Sequence, residues 1–330
     1  MFPRAFIKEL STSGSQLKVA DPDPNGRRVI LDSKSGDEIT FFIENSPYDD
    51  AAKHFKDMEN YKIDTQVLSL PPPSVDRLLD SKEALRLSRL INDEFAEIVS
   101  KYPSKVQALA TVPLNDPVFA ADETKRCIED LGFKGIVVSS NTLGRFYDSP
   151  DYDQFFRAAE KYGCPIFVHP TMPTTGEIIG QDYKLNLIFG WPFDTTLSIS
   201  RLALSGTLDR FPGLKIIAAH GGGMVPFFQQ RINMLARVAA GKGRKMVPQD
   251  PVKPFKQLYY DTAFFDPVSL ELLVRFAGAD HVVYASDYPF GQNLGKSCYD
   301  ASIKMMEDAN IDSSDKEKIY SSNIMKLLKM

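Results

Sequence analysis

Three residues able to hold a metal or move a proton stand at the ends of three apolar runs. Ile216, Ile217, Ala218 and Ala219 lead into His220, and Gly221, Gly222 and Gly223 follow at once. Pro165 to Val168 lead into His169, and Val282 to Ser286 lead into Asp287. Imidazole and carboxylate are the donors that bind catalytic divalent ions while leaving a position open, and they are also the commonest general acids and bases. A single histidine at a strand end is as a rule a hydrogen-bonded structural residue. Three chemically competent residues, each closing a strand at the same end, read instead as one site. The glycines after His220 leave no side chain to crowd what lies beyond that strand.

Short apolar runs flanked by turn residues are how strands read when both faces are covered, as in a parallel sheet. Seven are legible, at 65–70, 106–114, 135–140, 165–170, 215–220, 258–263 and 282–289. Helical patterns separate them, at 85–102, 119–131, 152–162, 195–210, 225–240 and 267–276, with a last helix at 313–328. Strands alternating with helices of this length mean parallel pairing through crossover helices. The expected fold is an α/β, (β/α)8 barrel, in which the carboxyl ends of the strands carry the active site. One domain, 1–330, is expected, with a β-hairpin insertion at 21–48: two β segments, 28–32 and 38–44, around the turn S-K-S-G-D. Residues 2–10 read as a short helix entered through Pro3. A helix at 49–61 carries His54 between Lys53 and Lys56, which reads as a solvated face.

Composition narrows the function. The chain has 330 residues, is 43% hydrophobic and 25% charged, and carries a formal net charge of −4. That balance gives no reason to expect nucleic acid or an anionic membrane as partner. No apolar run approaches the roughly 20 residues of a membrane helix, and no signal peptide opens the chain. The three cysteines are widely spaced and form no C-x-x-C pair, so neither a disulfide framework nor a thiolate zinc site is expected. The expected compartment is the cytoplasm.

Longer motifs add a resemblance. F-V-H-P at 167–170, G-W-P-F-D-T-T at 190–196, L-D-R-F-P-G-L-K-I-I-A-A-H-G-G-G at 208–223, S-D-Y-P-F at 286–290 and I-Y-S-S-N-I-M-K-L-L at 319–328 together resemble the amidohydrolase superfamily. Within it they are similar to the subgroup typified by aminocarboxymuconate-semialdehyde decarboxylase. The resemblance implies a divalent metal, zinc first and manganese second, with His169 and Asp287 as ligands. It implies that Asp287 also moves protons and that His220 is the catalytic histidine beside the metal. Trp191 matches a pocket-lining region, where a core tryptophan is the alternative. Arg231 matches an arginine that reaches the neighbouring subunit's site, where a solvent-exposed helix charge is the alternative. A homodimer or larger homo-oligomer is implied.

The implied activity is decarboxylation of a small aromatic or unsaturated carboxylic acid. A lactone or amide hydrolase on the same ligands stays open, and so does an impaired barrel with a binding or assembly role. The family's first strand ends in H-x-H, and this chain contains no H-x-H; its histidines are His54, His169, His220 and His281. The expectation is therefore that the first barrel strand is missing from this chain, leaving strands 65–70 and 282–289 without a mutual partner and the metal weakly held. The hairpin position of a carboxylate-gripping arginine matches Ile43, so the same dicarboxylate substrate is not expected.

Overall fold

The computed structural model describes residues 1–12, 16–33, 38–176, 182–240 and 248–330. The expected hairpin turn at 34–37, and 177–181 of the loop after His169, lie outside the described residues.

An antiparallel sheet comes first, formed by β1 (Leu17–Val19), β2 (Arg27–Asp32) and β3 (Glu38–Ile43). The expected hairpin is β2–β3; β1 adds a third strand that begins before residue 21. The parallel strands follow: β4 (Gln66–Leu68), β5 (Val106–Ala108), β6 (Ala110–Thr111), β7 (Ile136–Ser139), β8 (Ile166–His169), β9 (Ile216–Ala218), β10 (Tyr259–Asp261) and β11 (Val282–Val283). β4 pairs with β5, and β6 through β11 pair in chain order. Only Leu109 separates β5 from β6, and its N–H donates to the Leu68 carbonyl at 2.8 Å. The strand positions are thus those read from the sequence. Among the described residues β4 and β11 each have a single neighbour. The Met1 amino group donates to the Ser69 carbonyl at 3.0 Å, so the residues before the helix Arg4–Thr12 lie beside the exit of β4.

Period-two alternation builds two layers. Val67, Leu109, Val137, Phe167, Ile217, Tyr259 and Val283, one from each strand position, pack inward, and Ile324, Leu327 and Leu328 of the last helix cover them from below. Their neighbours Ile136, Val138, Ile166, Val168, Ile216, Ala218, Tyr260 and Val282 face outward, onto helix residues such as Phe155, Ile199, Leu202 and Leu273. The same parity turns His169 inward two residues beyond Phe167, and Asp261 two beyond Tyr259.

Helix starts follow local chemistry. The side chains of Asp50, Asp80, Asp116 and Asp266 accept backbone N–H groups at the first turns of Ala51–Asn60, Ser81–Lys101, Pro117–Glu129 and Pro267–Ala277, satisfying donors that have no partner inside a helix. Among the described residues the long helix that was not legible in the sequence is Lys296–Asp308. Its packing corrects the reading of His54. That residue is 1% exposed, on the buried side of Ala51–Asn60 with Ala51 and Met58. Spacings of three and four residues place it on the apolar stripe despite its lysine neighbours.

Candidate active site

β8 delivers His169 to the barrel interior. Its Nδ1 lies 2.8 Å from the Pro170 carbonyl oxygen; only a protonated Nδ1 can donate there, so the Nε2 lone pair faces outward, free to bind. Burial pushes the ring's pKa down to about 4. His220 follows β9 by two residues, on a turn with φ of +53°. Burial, helped by the nearby His169 ring, pushes it down to about 3. Both imidazoles are therefore neutral near pH 7, the state in which they bind metal. The ring centroids are 5.5 Å apart. The buried Nδ1 of His220 has no hydrogen-bond partner among the described residues.

Asp287 lies four residues past β11, with φ of +60°. Its residue surface opens to solvent, yet protein crowds the carboxyl, and burial pushes its pKa up to about 7. One donor atom from each of His169, His220 and Asp287 lies within 4.8 Å of the others. The neutral His169 imidazole and the Asp287 carboxylate are donors that fit a divalent cation, and His220, with its unpartnered buried nitrogen, stands beside them. The expected convergence of the three residues is what the structure has.

The glycines after His220 serve packing more than open space. Gly221, Gly222 and Gly223 all have positive φ. A Cβ on Gly221 would sit 2.8 Å from the Phe264 ring, and one on Gly222 or Gly223 would overlap Tyr260 or the Pro192 carbonyl. The loop is thereby pressed against β10 and the helix Trp191–Leu204, and the positive φ at His220 re-aims its ring.

Trp191 stands beside the site, its ring centroid 5.9 Å from that of His169. Its buried Nε1 has no hydrogen-bond partner among the described residues. Arg231 is not brought to this cluster. It is exposed on the helix Gln229–Ala240, without an ion pair or hydrogen bond among the described residues. His281 lies at the far end of the strands, with Nδ1 2.9 Å from the Leu258 carbonyl and its ring stacked on Tyr259.

Sequence reasoning passed over several residues. Asp261 is buried and accepts the N–H groups of Gly221 and Ala263, both at 3.2 Å. Burial pushes its pKa up to about 7, and Asp287 adds to the rise. Asp194, also buried, accepts from Ser140, from Asn141 at 2.7 Å and from the Thr174 N–H and hydroxyl at 3.0 Å. It ties the exits of β7 and β8 to the helix that carries Trp191. Strand parity could have pointed to Asp261; no local signal points to Asp194. From the hairpin side, Phe41 and Tyr48 pack edge-on against Phe290, and Asp287 helps push the Tyr48 hydroxyl up to about 12, after burial. The inserted sheet thus forms one wall beside Asp287.

Among the described residues no helix is long and apolar enough to cross a membrane.

Comparison with known proteins agrees with this geometry. The Amidohydro_2 family model, described as Amidohydrolase, matches residues 44–330. The chain is 29% identical to a 2-amino-3-carboxymuconate-6-semialdehyde decarboxylase of Dictyostelium discoideum, over 91% of this chain and 81% of that protein. It is 30% identical to a gamma-resorcylate decarboxylase of Rhizobium sp., over 83% and 85%. Among solved structures, the 5-carboxyvanillate decarboxylase of Sphingomonas paucimobilis superposes with a TM-score of 0.79 at 27% identity, covering 86% of this chain and 84% of that one. A dihydroxybenzoic acid decarboxylase from Polaromonas sp., with bound manganese and the inhibitor 2-nitroresorcinol, gives 0.78 at 28%, covering 85% and 86%. The fold is the α/β barrel fold of these decarboxylases, and the chain belongs to the amidohydrolase family.

Proposed function

We propose that this protein is a metal-dependent carboxy-lyase that removes carbon dioxide from a small aromatic or unsaturated carboxylic acid. The observation that carries the reading is the meeting of His169, His220 and Asp287 within 4.8 Å at the strand exits, beside Trp191. The names of the similar decarboxylases supply the reaction class.

In this reading His169 and Asp287 hold a divalent cation, which when bound orients the substrate carboxylate and draws electron density toward its oxygens. We assign zinc first; manganese, present in the Polaromonas structure, suits the same donors. Trp191 gives the flat face of the substrate an apolar wall. The carbon–carboxylate bond breaks, its electron pair stays on the substrate carbon, and Asp287 delivers a proton there. Burial pushes the Asp287 carboxyl up to about 7 in the metal-free protein; a cation bound there would displace that proton and favour the carboxylate, so the proton that Asp287 passes to the carbon is one it first takes up from the site. Its solvent-facing side allows it to regain the proton from water. His220, neutral and adjacent, passes protons to and from the substrate oxygen. Among the described residues β4 and β11 each have one strand neighbour; the C-terminal helical segment bonds β11 as well, the Tyr284 N–H donating to the Ile319 carbonyl at 2.9 Å and Asn323 Nδ2 to the Val282 carbonyl at 2.7 Å.

We also assign a homo-oligomer. Phe189, Phe227 and Met234 are 64%, 73% and 66% exposed, and Leu235 and Val238 lie close by on the helix of Met234. The Met224 N–H donates to the Thr196 hydroxyl at 2.9 Å, bringing this surface beside the helix of Trp191. Exposed large apolar side chains of this kind mark an interface, and a second copy of this chain is the occupant proposed, as in most soluble oligomers. Arg231 lies on that helix and would be carried to the partner.

The test uses the purified protein with zinc or manganese, offered hydroxybenzoic, carboxyvanillic and unsaturated carboxylic acids, with carbon dioxide release and metal content measured together. Carbon dioxide from one of these acids supports the proposal. Hydrolysis of lactones or amides without carbon dioxide would place the protein among hydrolases. Neither metal nor turnover would leave a binding or assembly role.

A further inference from the structure

Asp287 sits where no strand pairing holds it. β11 ends at Val283, and Asp287 adopts a left-handed backbone at φ +60°, a conformation with a steric cost for any residue bearing a Cβ. Upstream, the Thr262 hydroxyl grips Ala285, accepting its N–H at 2.9 Å and donating to its carbonyl at 3.1 Å. Downstream, the next residue is Tyr288, whose hydroxyl donates to Asp57 Oδ2 at 3.0 Å. Asp57 is buried on the helix Ala51–Asn60, and its other oxygen pairs with Lys296 Nζ at 3.2 Å. The Tyr288 ring stacks on Tyr299 at 4.5 Å, and the His54 ring meets it edge-on at 5.0 Å. His54 is itself fixed by the Pro47 carbonyl and the Gln66 side chain, both at 2.6 Å, and Gln66 bonds the Tyr299 hydroxyl.

We infer that Tyr288 and Asp57 are positioning residues: they anchor the chain immediately after Asp287 and so hold its carboxyl against His169 and His220. This rests on the reading of Asp287 as a working group of the site. A ring stacked on Tyr299 and met edge-on by His54, with its hydroxyl tied to a buried carboxylate, is a rigid lever one residue from the reacting group. It also explains a buried histidine on a helix that otherwise looks solvated. His54 packs edge-on against the Tyr288 ring.

The experiment compares Tyr288→Phe with Tyr61→Phe. Tyr61 belongs to the same aromatic group, packing on Tyr299 at 4.8 Å and donating to Asp300 at 2.8 Å, but it is remote in sequence from Asp287. Crystal structures and kinetics of both variants are measured against the unmodified protein. Expected for Tyr288→Phe are a displaced Asp287 carboxyl, a fall in kcat of about 10- to 100-fold, as a misplacement near 1 Å produces, and KM within about twofold. Tyr61→Phe is expected to leave Asp287 and kcat in place. An Asp287 position unchanged in Tyr288→Phe, or changed equally in both variants, overturns the inference, as does unchanged kcat in Tyr288→Phe. If the unmodified protein releases no carbon dioxide from any acid, the proposed reaction fails while the crystal comparison still decides the positioning role.

Discussion

Replacing Gly223 with alanine tests whether the loop after His220 is built by close packing. Gly223 has φ 62° and ψ −118°, a backbone region that residues with a Cβ avoid, and forcing one there costs about 1–3 kcal/mol. The new methyl would also overlap the Pro192 carbonyl oxygen and the Thr196 hydroxyl. Those two atoms are bonded to each other at 2.7 Å, and the same hydroxyl holds the Met224 N–H, so neither can retreat alone. Overpacking adds about 1–3 kcal/mol. The sum is roughly 2–6 kcal/mol, which at about 2 °C per kcal/mol for a chain of this size lowers Tm by roughly 4–12 °C. Gly132→Ala is the control. Gly132 has φ +74° with nothing within 4 Å of a new Cβ, so only the backbone cost of about 1–2 kcal/mol remains. Scanning calorimetry of the metal-free proteins reads both. If Gly223→Ala melts at or above Gly132→Ala, the packing account of the glycine run is wrong.

Three further outcomes are expected. His220→Asn should lower turnover by about 10²–10⁴-fold with metal content nearly unchanged, and metal lost in step with activity would make His220 a ligand instead. Metal affinity should fall about tenfold per pH unit below pH 7 and level off above it. The Asp287 carboxyl is raised to about 7, so a cation must displace its proton below that value. The histidines, lowered to about 4 and 3, compete only in much stronger acid. Competition titrations between pH 5.5 and 8 measure this, and a slope that survives in Asp287→Asn refutes the assignment. Met234→Asp should shift an oligomer toward monomer in light scattering without lowering Tm of the monomer, because the side chain is 66% exposed.

The strand exits were legible because they depend on local pattern. Apolar runs of period two, broken by helical stretches, fix a parallel barrel order, and parity along a strand then turns His169 and Asp261 inward. The residues that close those runs share one end for the same reason. Segments without such a pattern were decided elsewhere. Lys296–Asp308 carries a weak apolar stripe and follows an irregular loop, and it becomes a helix in contact with the tyrosines of the Asp287 exit. His54 looked solvated because its chain neighbours are lysines. Its environment is set by Tyr288, Gln66 and Pro47, which only the fold brings to it. Asp194 and Asp57 are ordinary acidic residues in their own helices, and their partners are distant along the chain. The sequence by itself determined which residues could do chemistry and at which end of the barrel. Tertiary structure decided the backbone at His220 and Asp287, both at positive φ. That conformation comes from packing between segments far apart in the chain, which no local spacing encodes.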